Sequence, residues 1–308
     1  MNRLLALLAV FVLLRPCPAQ VCSSVVLPLN VFTQDGLLVR GVSPDHLLVK
    51  VHGEAATIVS LSLDVSPRRV VLLLDTSGSM AGHYPHAWQL VPELGAYALD
   101  TIPSDASVAV GTIGGAQNIS EFGDRTQAGT RVLALTRKSM KGLTPLLDSI
   151  HQALLKLDPP HFGDVIYLVT DGGDNMSKFR ERQIGKELAL RGTRIFALLV
   201  ADDSPPRTQE QQAGPPLIEG LVKETGGHLM LVPWTSIGPQ HRADLFNIAP
   251  LIQADIGSGY RLQLSLAKAI KKMAPVQIRY TGPDQRLAKN ASWIYPRRIG
   301  PCPSSAHP

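Results

Sequence analysis

Asp75-Thr76-Ser77-Gly78-Ser79 sets a carboxylate and two hydroxyls at alternate positions of one short stretch. These are hard oxygen donors, the type that holds a divalent cation such as Mg2+. The run before them, Val70-Val71-Leu72-Leu73-Leu74, is apolar without alternation and predicts a strand buried on both faces, as in a parallel sheet. In an open α/β sheet, ligands bind outside the carboxyl ends of the strands. The same stretch also suits a helix N-cap, since Asp and Ser side chains accept the free amides of a first turn. Two further pieces favour the metal loop. Asp171 directly follows a second apolar run, residues 165–170, and Thr144 precedes Pro145 at a predicted helix start. Asp75, Ser77, Ser79, Thr144 and Asp171 together offer two carboxylates and three hydroxyls. Such a set under-neutralises Mg2+ and leaves it short of the roughly six oxygens it prefers. An outside carboxylate would complete it. The two readings are compatible, because oxygens not on a metal can still cap the helix that follows.

Elements that could position these donors alternate regularly from residue 70 onward. Strands are predicted at 107–113, 165–170, 195–200 and 228–232, and helices at 84–101, 145–157, 178–190, 217–225 and 240–256. Residues 117–122 suit a short antiparallel strand, residues 130–135 some helix, and the Pro- and Gln-rich residues 204–216 a surface loop. Repeated β–α alternation predicts an α/β fold with a doubly wound, mostly parallel sheet.

The flanks read differently. Residues 25–32, 37–40, 47–51 and 57–63 are strand-like, with Asp35-Gly36 as a turn and 66–69 as a linker. After Gly257-Ser258-Gly259, strands are predicted at 260–266 and 276–280 and near 291–295. Neither set is large enough to stand alone, so the two are expected to pack as a smaller β-sandwich-like module with the α/β unit inserted in it. The expected divisions are 1–19 as a signal peptide, 20–67 and 258–308 as β segments, and 68–257 as the α/β domain.

Charge and cysteines bound the setting. The 308-residue chain carries a net charge of +5, unevenly spread: residues 261–308 hold nine Lys/Arg and one Asp/Glu. Aromatic and basic residues do not interleave there, which argues against nucleic acid; solvated strand faces or docking to an acidic surface remain. Arg3, the apolar residues 4–14 and Cys17-Pro18-Ala19 have the order of a secretory signal cleaved before Gln20. That apolar core is shorter than the roughly 20 residues of a membrane span, and no later stretch qualifies. A secreted or periplasmic protein without a transmembrane segment is expected. Cys22 and Cys302 would then remain at the two ends of the mature chain, and an intramolecular Cys22–Cys302 disulfide is expected in an oxidising compartment.

The motif set, Asp-x-Ser-x-Ser, Thr144 before Pro145 and Thr170-Asp171-Gly172, resembles that of a von Willebrand factor type A domain over residues 68–257. The resemblance implies a Rossmann-like fold and a metal-ion-dependent adhesion site with Asp75, Ser77 and Ser79 in the first loop, Thr144 in the second and Asp171 in the third. It further implies Mg2+, with Mn2+ or Ca2+ as alternatives, a partner protein presenting an Asp or Glu carboxylate, and a last helix, 240–256, that shifts with affinity. Asp35-Gly36, residues 41–45 and Gly259-Tyr260 extend the resemblance to exported acidobacterial proteins of this type.

Catalysis is not expected. The chain contains no His-Glu-x-x-His, Gly-x-Ser-x-Gly or phosphate-binding loop, and no base stands beside the proposed metal. An adhesion module and an assembly component of a cell-envelope complex are the two readings that remain, with a metal-dependent hydrolase behind them. His83 and His86 could rim the site or simply belong to a polar loop. Asp174 suits a helix cap or an outer contact to metal-bound water. Asn118, Asn175 and Asn290 each begin a glycosylation sequon.

Overall fold

The computed structural model describes residues 24–82, 89–114, 118–139, 141–201, 209–233 and 239–301. The signal segment, Cys22, Cys302, His83 and His86 lie outside the described residues.

Five parallel strands form the central sheet: β4 (Arg69–Asp75), β5 (Ser107–Ile113), β6 (Val165–Thr170), β7 (Arg194–Ala201) and β8 (Leu229–Pro233), in the order β5-β4-β6-β7-β8. Apolar side chains alternate between the two faces. Val70, Leu72 and Leu74 pack with α2 (Leu90–Thr101), α3 (Arg125–Leu133) and α7 (Pro239–Gly257). Val71 and Leu73 pack with α4 (Leu146–Lys156), α5 (Glu181–Arg191) and α6 (Gln209–Thr225) on the other face. Each fully buried Leu of β4 contributes about 1.5–3 kcal/mol of hydrophobic stabilisation, which explains the absence of polar alternation in that run. A short helix, α1 (Ser79–Gly82), follows β4 directly. The expected doubly wound sheet is therefore present, with helices on both faces.

The chain leaves β4 for β5 on one side and later returns to β6 on the other. This reversal makes the carboxyl end of β4 the switch point of the sheet, where a crevice opens between loops. Asp75 is the last residue of β4.

The flanking strands build one antiparallel sheet of seven. β1 (Ser24–Phe32), β2 (Leu47–Val51) and β3 (Glu54–Asp64) precede the α/β unit, and β9 (Gly259–Ser265), β10 (Ala274–Tyr280), β11 (Ser292–Ile294) and β12 (Arg298–Ile299) follow it. Their order is β11-β1-β9-β3-β2-β10-β12, so strands from both ends of the chain interleave. The sandwich-like packing arises from a single curled sheet around Leu29, Val31, Val49, Leu262, Leu264 and Val276. Residues 37–40, expected as a strand, contribute only an isolated bridge from Leu38 to Phe32. β12 had no signal in the sequence because it is two residues long.

Several helix limits differ from expectation. α2 starts at Leu90, placing Pro92 in its first turn, where a missing amide hydrogen costs little. α6 begins at Gln209 and runs through Pro215-Pro216, so 209–216 is helix rather than surface loop. Burial of Ile218, Leu221 and Val222 against the sheet outweighs the local penalty of proline. Residues 118–123 run antiparallel to β5, bonding through Ser120 and Gly123.

Two linker arginines anchor the amino-terminal end of the parallel sheet. Buried Arg68 pairs with Asp64 at 2.8 Å and donates to the carbonyl of Ile256 at 3.2 Å. Arg69 holds Asp164 through two contacts of 2.9 and 2.6 Å. Among the described residues no helix is long and apolar enough to cross a membrane.

Candidate metal centre

The loops that follow β4 and β6 and the loop that precedes α4 carry the five candidate residues and are bonded to one another. The first loop turns sharply because Asp75 Oδ1 accepts from the Ser77 amide at 2.9 Å. That turn aims the Ser77 hydroxyl at the Ser79 hydroxyl, 2.9 Å away. Thr76 points elsewhere: its amide and hydroxyl both donate to the carbonyl of Ile113, at 2.8 and 3.0 Å, fixing the loop to the end of β5. Gly114 completes this junction at φ +88°, where a Cβ would press on the Ser77 backbone at 3.1 Å.

The second loop is tied to the first by two backbone bonds. The Gly78 amide donates to Gly142 at 3.0 Å, and the Lys141 amide donates to Thr76 at 2.8 Å. Thr144 is thereby held beside the first loop and is buried. The second and third loops are joined by Asn175, whose side-chain oxygen accepts from the Thr144 amide at 2.8 Å. The Asn175 amide returns a bond to the Thr144 carbonyl at 3.1 Å.

The third loop carries Asp171, half-buried, with its Oδ1 accepting from the Gly173 amide at 3.0 Å. Thr170, the last residue of β6, bridges inward: its hydroxyl donates to Asp75 Oδ2 at 2.6 Å and accepts from the Gly172 amide at 2.9 Å. The loop meets α6 backbone to backbone at one point. A Cβ on Gly172, at φ +83°, would come within 2.8 Å of Gly214, and one on Gly214 within 2.6 Å of Gly172. Asp174 accepts from the Ser177 amide at 3.1 Å, which makes it a turn residue; the cap of α5 is Arg180.

Electrostatics distinguish the two carboxylates. Asp75 has no exposure to solvent. Burial, followed by the nearby charge of Asp171, pushes its pKa up to about 7. The groups that oppose this shift are the Ser77 amide and hydroxyl and the Thr170 hydroxyl, not cations. A buried carboxylate facing a second carboxylate, with hydroxyls around it, fits a divalent cation: the ion would relieve the desolvation and the repulsion together. Asp75 Oδ1 accepts from the Ser77 amide and Oδ2 from the Thr170 hydroxyl, and a carboxylate offers about four lone-pair sites, so it can still face a metal or a metal-bound water. Among the described residues no three His, Cys, Asp or Glu side chains gather as a softer metal site would require.

Thr170, Asn175 and the Gly172–Gly214 contact were not anticipated from the sequence. Thr170 had a signal, being the hydroxyl residue that closes a buried strand just before Asp171. Asn175 and Gly214 had none, because their roles depend on contacts made across loops.

No protein-family model matches the chain, and no curated protein sequence matches it. Several solved structures align with it. A von Willebrand factor type A protein from Catenulispora acidiphila is 13% identical, over 93% of this chain and 75% of that one, with a TM-score of 0.46. BatB from Bacteroides thetaiotaomicron is 14% identical, over 60% and 98%, with a TM-score of 0.45. The manganese-loaded TRAP protein of Plasmodium vivax is 16% identical, over 78% and 97%, with a TM-score of 0.44. At such identities a likeness concerns the fold alone. The α/β unit itself is a doubly wound parallel sheet with helices on both faces, as the β–α alternation of the sequence predicts.

Proposed function

We propose that this chain is an exported, metal-dependent protein–protein interaction module that grips a partner carboxylate through a divalent cation. Asp75, Ser77, Ser79, Thr144 and Asp171 would hold the ion, with Mg2+ the first choice and Mn2+ or Ca2+ the alternatives. The observation that supports this reading is that three mutually bonded loops carry these residues at the sheet's switch point, with the Ser77 and Ser79 hydroxyls and the Asp75 carboxylate side by side.

The cation would supply an electrophilic centre, since three of its five donors are neutral hydroxyls. The chain's own part is to orient. Asp75 fixes the Ser77 turn, Thr170 braces Asp75, and Asn175 sets Thr144 against the first loop. Binding is favoured over catalysis because the donor set is built from hydroxyls and carboxylates and includes no imidazole base.

Titration calorimetry of the intact protein with Mg2+ and Mn2+ tests the site. Saturable binding that is lost in Asp171→Ala supports the reading, and no heat with either ion would overturn it. Capture of exported proteins with Mg2+ or with EDTA then tests the activity. Partners retained only with Mg2+ support carboxylate recognition. A single stoichiometric partner would mark the assembly role.

A further inference from the structure

The end of the seven-stranded sheet remote from the metal centre carries a cavity of about 730 Å3. β9 leaves the α/β unit at Gly259 and reaches this end at Ser265, roughly 20 Å further along at strand spacing. The hairpin residues His52, Glu54 and Ala55 form one wall, and the 266–273 connection between β9 and β10 forms the other. Val51, Leu266 and Ala274 are buried in the sheet core beneath, and Ile270 and Met273 are half-buried at its side.

Charge on the rim is one-sided. Lys268 is matched by Glu54 at 2.6 Å, which holds the connection against the hairpin. Lys271 and Lys272 are exposed and have no acidic partner among the described residues. Small-molecule sites are typically of about 300–1,000 Å3, mostly apolar, with a few polar groups that fix orientation. An apolar floor under two unmatched ammonium groups specifies a ligand with an apolar body and an anionic head.

We propose that this cavity binds a free anionic amphiphile, its hydrocarbon part lying along Leu266, Ile270 and Met273 and its carboxylate or phosphate against Lys271 and Lys272. The site is separate from the metal centre and does not depend on a cation. It would give the chain a second ligand at the opposite end from the partner protein. It also gives a role to part of the basic excess of residues 261–308, which the metal site leaves unused.

Calorimetry with dodecanoate, dodecanol and dodecyltrimethylammonium on the full chain tests this. Dodecanoate should bind saturably, with and without EDTA, and more tightly than dodecanol. The cationic amphiphile should not bind. Lys271→Glu/Lys272→Glu should weaken dodecanoate by about tenfold or more, and Ile270→Glu should do likewise, while both keep the wild-type melting temperature. Loss of dodecanoate binding in EDTA would place the carboxylate on the metal and overturn the proposal. So would equal binding of the cationic amphiphile, or unchanged affinity in both variants. Sedimentation with anionic vesicles, without binding of dodecanoate, would replace a free ligand by a membrane surface and also overturn it. Dodecyl phosphate in a parallel titration distinguishes the two head groups, and either one binding through the lysines supports the site.

Discussion

The Asn175 side chain accepts from the Thr144 amide at 2.8 Å while its own amide donates to the Thr144 carbonyl at 3.1 Å. This reciprocal pair fixes the backbone of a buried threonine on both sides.

Asn175→Ala should therefore weaken Mg2+ binding without removing any proposed ligand. Outer-contact groups of this type are worth about 10–100-fold in metal affinity. Calorimetry should show that loss with little change in thermal stability, and Asn175→Asp should restore part of it.

Asp75 and Asp171 differ in what their removal costs. Both carboxylates stand at strand ends, but Asp171 is half-buried and Asp75 is fully enclosed. Asp171→Ala should abolish metal binding with a near-native melting curve. Asp75→Ala should abolish it and also destabilise the protein, by about 1–3 kcal/mol, because the Ser77 amide and Thr170 hydroxyl lose their acceptor. Asp75→Asn, which retains an acceptor oxygen, should recover much of the stability and none of the affinity. Wild-type Mg2+ affinity in any of the three would contradict the assignment.

Gly172 permits no side chain. Its φ of +83° and the 2.8 Å approach to Gly214 both oppose a Cβ. Gly172→Ala should cost about 1–3 kcal/mol in urea unfolding and shift the third loop, so that metal affinity falls as well. Gly192, at φ +67° with open space around it, is the control: Gly192→Ala should cost about 1–2 kcal/mol and leave metal binding intact.

At the opposite end of the sheet, Asp255 of α7 is buried against Arg194 at 2.7 Å and His228 at 2.9 Å, and Asn30 of β1 bonds it as well. Burial alone would raise its pKa, but Arg194 and His228 hold it below the ordinary value of 3.8. A depressed carboxylate stabilises the fold above its unfolded pKa. Stability should accordingly be full at neutral pH and decline as pH falls below about 4. Asp255→Asn should cost about 3–5 kcal/mol by leaving Arg194 unpaired, and should flatten that acid limb. The same cluster pins the carboxyl end of α7 to β1 and β7. Structures with and without a bound acidic peptide should therefore show that end of the helix unmoved, and a displacement there would contradict this.

The proposed ligand set could be named from the sequence because each part of it is local. A buried strand needs an uninterrupted apolar run, and donors placed at its end need no distant contact to be recognised. Asp75, Ser77, Ser79 and Asp171 follow such runs directly, and Thr144 is marked by the proline after it. The α/β alternation was legible for the same reason, since periodicity of burial is written residue by residue. Tertiary structure alone decided how these parts are braced. Asn175 reaches Thr144 across 31 positions, Thr170 reaches Asp75 across 95, and Gly172 meets Gly214 through backbone. It also decided the strand order of the flanking sheet and the helix through Pro215-Pro216, where long-range burial outweighs local preference. Local pattern specifies which groups are present, and packing between distant segments specifies how closely they are held.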